Sequence, residues 1–277
     1  WKNYTLWDLY KVAQTPFKWQ KELFDYARNI KIKCFSTPFD EQGLALLEKL
    51  KCPIYKVSSY EIDDYPLLKA IALTQKPMII STGTASFDTV KKSISYIKKF
   101  TNAPIAVLYC VSIYPSTFED FNMNNIKIIK GKFNCTVGLS DHSKDVLVAT
   151  TAVSKGAEII EKHIALQNQK KGVDIDFALK GKEIKDFVEA IVNTKKMISN
   201  ESYFKSKTEL KNSFYRRSIY AIKNIKKGEF FTKENIKCLR PRLGLKPEYY
   251  SKLINKKAQR NITYGSPIKK TDLFFKS

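Results

Sequence analysis

Histidine is the scarcest side chain in this sequence: two imidazoles, His142 and His163, stand in 277 residues. Other absences exclude whole classes of protein. No apolar run approaches the roughly 20 residues that cross a bilayer, and no leader of basic, apolar and small residues opens the chain. A cytoplasmic protein with no membrane partner is therefore expected. Cys34, Cys52, Cys110, Cys135 and Cys238 are odd in number and show no CxxC spacing. Reduced thiols are expected, not a disulfide frame or a zinc site. Neither GxGxxG nor GxxxxGK[ST] follows any apolar run, which weighs against a nucleotide-binding open sheet. Acidic residues are outnumbered, 27 against 49 basic, for a formal net charge of +22. Yet no arginine-rich tract appears, and the lysines are scattered through every segment, "VKKSISYIKKF" and "KGKEIKDF" included. A nucleic-acid partner is not expected; the charge raises the local concentration of a phosphorylated substrate instead.

What is present is a repeat. Six short, continuous apolar runs read as buried strands: 31–36, 53–58, 77–81, 104–110, 134–140 and 157–164. Between them lie helical patterns such as "EQGLALLEKL", with Asp40 as N-cap, and "SFDTVKKSISYIKKF", with Ser86 or Asp88 at its start. Nearly every run ends in reactive or hydrogen-bonding side chains: Ser36 and Thr37; Lys56, Ser59 and Glu61; Ser81 and Thr82; Ser112 and Tyr114; Ser140, Asp141 and His142; Glu161 and His163. In a closed (β/α)8 TIM barrel all strand C-termini converge on one mouth, where the chemistry of that fold sits. Six strands feeding one polar rim fit that α/β architecture. A parallel barrel short of two strands would expose two edges. The expectation is that the six are strands 3 to 8 and that the first two lie upstream of Trp1.

Domain boundaries follow from composition. Residues 1–200 hold the partial barrel, including "GVDIDFAL" and the helical pattern "KEIKDFVEAIVNTKKMI"; the polar stretch 201–215 reads as a linker. Residues 216–277 change texture, with short β-like pieces, a "KKGE" turn and Thr232 as a cap. They read as a separate small domain, marginal alone and helped by docking.

The two histidines follow neighbouring strands, so both can reach one divalent metal with several positions left open, as suits a Lewis acid. Asp141 and Glu161 flank them. Lys56 with Thr37, Ser59, Ser81 and Ser140 forms a set of donors for phosphate or carboxylate.

"YKVSSYEI", "KPMIISTGTAS", "CVSIYPS", "VGLSDHS", "GAEIIEKHI" and "GVDIDFAL", in that order, resemble the sialic acid synthase family, and "RRSIYAIKNIKKGE" resembles its C-terminal SAF (antifreeze-like) domain. Within the family, "LWDLYKVAQTPFKWQKELFDYAR" and "STPFD" are most similar to the pseudaminic acid synthases. The resemblance implies a (β/α)8 barrel plus SAF domain, in a homodimer whose SAF domains are swapped. It implies condensation of phosphoenolpyruvate with the open-chain aldehyde of an acetamido sugar, releasing phosphate. It assigns the metal, Mn²⁺ or Mg²⁺, to His142 and His163. Phosphoenolpyruvate falls to Lys56, Ser59, Thr37, Ser81, Ser112 and Ser140. The sugar-side and catalytic roles fall to Glu61, Tyr114 and Asp174, and Arg240 in "CLRPRLG" aligns with the arginine that the SAF domain sends to the partner's sugar.

Three departures bear on substrate detail: Val111 where threonine is usual, Thr84 where methionine is common, and Lys180-Gly181 in place of Glu-Pro. The family's acidic residue after strand one and lysine after strand two have no counterpart, so residues 1–277 alone are expected to turn over little or not at all. The alternatives are a legionaminic or N-acetylneuraminic acid synthase, and a degenerate barrel that binds a sugar or a partner without catalysis.

Overall fold

Alternation along the apolar runs decides which side chains meet the helices and which are left for chemistry. In the computed structural model, which describes residues 5–198 and 202–273, the chain forms two units, Trp1–Ser199 and Asn200–Ser277. In the first, helices α1 (Leu6–Ala13), α2 (Phe17–Asn29) and α3 (Glu41–Lys49) precede β1 (Tyr55–Val57). Then follow α4 (Tyr65–Leu73), β2 (Met78–Ser81), α5 (Phe87–Ile97), β3 (Ile105–Cys110), α6 (Asn124–Phe133), β4 (Thr136–Asp141), α7 (Val146–Ser154) and β5 (Ile159–Lys162). The five strands are parallel and neighbour one another in chain order, each crossover being made by one helix, as parallel pairing requires. Beyond β5, β6 (Ile164–Ala165) and β7 (Leu179–Lys180) pair with each other, and α8 (Lys182–Met197) follows.

Tyr55 and Val57, Met78 and Ile80, Val107 and Tyr109, and Val137 and Leu139 share one face of the sheet, where they pack with Leu68, Ile71, Ile94, Ile97, Ile126 and Val148. Each such aliphatic side chain contributes about 1.5–3 kcal/mol on burial. The intervening residues, Lys56, Ser81, Cys110, Ser140 and Glu161, belong to the opposite face. Gly138 lets that face close up: a Cβ there would lie 2.3 Å from the Ile159 carbonyl oxygen and 2.6 Å from Leu108 Cδ2. The helix starts follow the capping rules. Asp40 accepts from Gly43 N–H at 2.6 Å, and Ser86, not Asp88, caps α5 by accepting from Thr89 N–H at 3.1 Å.

Two expected strands differ. Of residues 31–36 only Ser36 pairs, through a single parallel bridge to Tyr55. Lys31 turns the chain at φ 60°, and the stretch has no second partner among the described residues, so no ladder holds it. The run 157–164 is interrupted at His163: the ladder with β4 ends at Lys162, and the His163 carbonyl accepts from Leu179 N–H at 2.9 Å as the chain changes partner. Strands β1 to β5 thus form one parallel sheet with its strands in chain order, and β6 and β7 pair apart from it. All five cysteines are free, and no helix among the described residues is long and apolar enough to cross a membrane.

In the second unit the stretch 202–215 contains α9 (Lys207–Lys211), and Phe214 O accepts from Arg242 N–H at 2.8 Å. Strands β8 (Ser218–Ala221) and β9 (Ile236–Leu239) pair antiparallel, and α10 (Tyr250–Leu253) follows. Ile219, Ile225, Phe231, Ile236, Leu253, Ala258 and Ile268 form its own core. Asp272, fully buried, accepts from Arg260 Nε at 2.5 Å and from Lys269 N–H at 2.7 Å.

Candidate functional site

The C-terminal ends of β1 to β5, on the face turned away from the helices, gather most of the residues singled out in the sequence. Lys56 is 7 % exposed; its Nζ donates to the Val57 carbonyl at 3.1 Å and lies 3.7 Å from Glu161 Oε2. Burial pushes its ammonium below the usual lysine range, and Glu161 opposes that shift. The other Glu161 oxygen accepts from Ser140 Oγ at 2.6 Å, a contact that follows from register, because Ser140 and Glu161 are cross-strand partners. A cation, a carboxylate and a hydroxyl thus form one connected row.

Beside that row, Ser59 Oγ and Ser112 Oγ are 3.1 Å apart. Gly83 makes their approach possible. It sits at φ +49°, and a Cβ there would stand 2.3 Å from Ser59 Cβ and 2.7 Å from each of the two Oγ atoms. Ser81 is buried, and its Oγ has no hydrogen-bond partner. An unsatisfied buried hydroxyl costs about 1–3 kcal/mol, so Ser81 is a donor open to a group that could enter the site.

The imidazoles come next. Their ring centres are 5.4 Å apart. His142 Nδ1 is 2.9 Å from the Val111 carbonyl oxygen, which can only accept, so Nδ1 carries the proton and Nε2 keeps its lone pair. Burial holds the His142 pKa below the ordinary 6.5, favouring the neutral ring that a metal needs. His163 Nδ1 is 3.4 Å from Asp174 Oδ2, and Asp174 Oδ1 is buried with no partner. An acceptor at Nδ1 is the arrangement that fixes the tautomer of a metal-ligating histidine; His142 has it in the Val111 carbonyl, and Asp174 stands within ion-pair distance of His163. Among the described residues no group of three or more His, Cys, Asp or Glu converges, so two imidazole ligands, with water and substrate oxygens completing the shell, are what this site offers a divalent ion. The residues present fit such an ion.

Tyr114 packs on His142, ring centres 4.4 Å apart, and burial pushes its phenol up to about 12; it is a donor at neutral pH. Phe177 covers both histidines, at 5.9 and 5.1 Å. Glu61, on the turn Ser59–Glu61 that follows β1, accepts from Ser58 Oγ.

One expected residue stands elsewhere. Thr37 follows Ser36, whose carbonyl accepts Lys56 N–H at 3.2 Å, but its side chain lines a different cavity of about 470 Å³ with Gln14, Phe17, Phe39 and Asp40. Arg240 belongs to the second unit and is exposed. Sequence reasoning missed Gly83 and Phe177, and it read Glu161 only as a flank of the histidines. The period-2 spacing from Glu161 to His163 and from Ser140 to His142 is the signal that pairs Glu161 with Ser140. Phe177, three residues from Asp174, had no such signal.

Residues 1–203 match the NeuB family and residues 216–273 the SAF domain. The chain is 38 % identical to the pseudaminic acid synthase of Campylobacter jejuni over 98 % of its own length and 79 % of that protein's. It is 39 % identical to the pseudaminic acid synthase of Helicobacter pylori, over 99 % of its length and 81 % of that protein's. The crystal structure of N-acetylneuraminic acid (sialic acid) synthetase from Leptospira borgpetersenii, in complex with citrate, superposes with a TM-score of 0.68 at 31 % identity, covering 72 % of this chain and 70 % of that one.

Proposed function

This chain belongs to the NeuB family, and on that premise we propose that it condenses phosphoenolpyruvate with the open-chain aldehyde of an acetamido sugar, the precursor of pseudaminic acid, to give a nonulosonic acid and phosphate. The likeness to two pseudaminic acid synthases supports the choice of sugar. In this reading Lys56 supplies a point charge and Ser59, Ser112 and Ser140 supply directional donors to the phosphate and carboxylate. The orphaned Ser81 Oγ acquires its partner from the same anion. His142 and His163 are the residues that would hold Mn²⁺ or Mg²⁺, and such an ion, when bound, would polarise the sugar's carbonyl. Tyr114, Asp174 and Glu61 orient the sugar.

C3 of phosphoenolpyruvate forms a bond to the aldehyde carbon, and the carbonyl electron pair moves to its oxygen, which takes up a proton. C2 is left cationic. Water adds to C2 and loses a proton; the C2–O bond to phosphate then breaks as the new hydroxyl's O–H electron pair forms the C=O bond and its proton leaves with the phosphate, giving the 2-keto acid. Glu161, hydrogen-bonded inside the anion cradle, is the carboxylate this chain offers to the charge at C2 and to the water's proton.

The same reading makes the open sheet, with the Ser36 bridge, six staves of a (β/α)8 barrel, and makes the protein a cytoplasmic homodimer in which each SAF domain sends Arg240 to the sugar held by the other copy. One observation carries the function: two imidazoles with ring centres 5.4 Å apart, one backed by the Val111 carbonyl and the other facing Asp174, beside a buried lysine and paired serines. The test is phosphate release by the full-length protein from phosphoenolpyruvate with Mn²⁺ and a panel of acetamido sugars: the pseudaminic, legionaminic and N-acetylneuraminic precursors. Release with the pseudaminic precursor alone supports the proposal, preference for another sugar moves the substrate, and silence with all three refutes the synthase reading.

A further inference from the structure

Asp141 and Lys162 are register partners at the ends of β4 and β5, and each immediately precedes one of the two histidines. The Asp141 side chain is fully buried and that of Lys162 is 6 % exposed, with Nζ 3.0 Å from Oδ2. The second Asp141 oxygen accepts from Ser143 N–H at 2.8 Å, and Lys162 also donates to the Ser143 carbonyl. One node therefore ties the end of β4, the end of β5 and the residue after His142. Alternation puts the pair on the face opposite Ser140 and Glu161; there Lys162 Nζ lies 5.7 Å from the centre of the Phe187 ring of α8. The pair's hydrogen bonds run to each other and to Ser143, none to an imidazole.

Desolvating two charges is costly, and well-packed apolar residues would stabilise this face at least as well. What the ion pair adds is direction. It is satisfied in one register only, because a slip of one residue turns the side chains to the other face of the sheet. We propose that Asp141 and Lys162 are positioning residues, a register lock that sets His142 against His163 at the spacing one divalent ion can bridge. The inference rests on reading the two histidines as the metal's ligands.

The test uses Asp141→Asn, Lys162→Met and the double variant D141L/K162L in the full-length protein. Imidazole NMR of the metal-free protein, with the two signals assigned from His142→Ala and His163→Ala, can follow the contact between the two rings directly. Calorimetry with Mn²⁺ alone reads the site. The double variant is expected to keep the parental circular dichroism and melting temperature, to lose the His142–His163 ring NOE, and to bind Mn²⁺ roughly 10- to 100-fold more weakly, with the KM for phosphoenolpyruvate moving less than about threefold. A folded double variant with the parental NOE and Mn²⁺ affinity overturns the lock; if the double variant does not fold, the same result in Lys162→Met overturns it. Unfolding of all three variants also overturns it, since the pair would then be needed by the fold and not by the imidazole spacing. NOE loss in a protein whose parent binds no Mn²⁺ would uphold the lock while refuting the metal reading.

Discussion

Replacing Gly83 with alanine tests the anion cradle without touching any polar group. The added Cβ has nowhere to go: Ser59 Cβ stands 2.3 Å from its position and the Oγ atoms of Ser59 and Ser112 2.7 Å. The left-handed backbone at φ +49° adds a conformational cost of about 1–2 kcal/mol for a residue with a side chain, and overpacking a well-filled site adds about 1–3 kcal/mol. The cheapest relief is to spread Ser59 from Ser112. If one hydroxyl then loses its charge-assisted bond to phosphoenolpyruvate, the loss is about 1.5–3 kcal/mol, or roughly 10- to 150-fold in KM at 1.36 kcal/mol per decade. The KM of the sugar should stay within about twofold. The assay is steady-state phosphate release with each substrate varied in turn, alongside a thermal melt and the single variant Ser59→Ala, which removes one donor with no added bulk. A folded Gly83→Ala protein whose KM for phosphoenolpyruvate equals the parent's would refute the argument, because the two serines would then have no part in holding the anion.

Other outcomes follow from the same geometry. Lys56→Met removes the buried ammonium proposed to face the anion; loss of one charge-assisted bond, about 1.5–3 kcal/mol, should weaken phosphoenolpyruvate binding roughly 10- to 150-fold by calorimetry, and parental affinity would contradict the assignment. His142→Ala and His163→Ala should each abolish measurable Mn²⁺ binding while leaving phosphoenolpyruvate affinity largely intact, and unchanged Mn²⁺ binding in both would remove the metal site. Burial lowers the His142 pKa from 6.5. The unfolded chain therefore binds this proton more readily, so stability contributed by the neutral ring is full above about pH 6.5 and declines as pH falls through the lower folded value. Melts of metal-free protein between pH 7.5 and 5 should show this loss, and His142→Asn should flatten it. In the SAF unit, Asp272→Ala removes the buried acceptor of Lys269 N–H and Arg260; a loss of about 1.5–3 kcal/mol should lower the calorimetric transition of that unit and leave the other where it was.

Much of the architecture was legible before any coordinates because it depends on local, periodic facts. Continuous runs such as "PIAVLYC" and "NCTVGLS" are apolar on both faces, as parallel strands between helices must be, and they became β3 and β4 within two residues at either end. Asp40 and Ser86 were recognisable as caps because a cap is a property of four consecutive residues. The run 31–36 shows where this stops. Its composition is that of a strand, yet strand structure exists only against a neighbour, and a ladder is not written in the run itself. The break at His163 has the same cause, since the chain changes pairing partner there and no propensity marks the change.

The sequence by itself determined the βα order, the polar residues that end the apolar runs and the presence of just two imidazoles in the 277 residues, because spacing and residue type are one-dimensional properties. Only the tertiary structure decided that Glu161 stands between Lys56 and Ser140, that Ser59 and Ser112 meet over a glycine, that Phe177 covers both histidines, and that Asp141 finds Lys162 on the far face. Those contacts join residues 14 to 105 positions apart, or depend on which neighbour a strand takes. They arise from the register of parallel strands, and register is settled by packing the whole sheet at once.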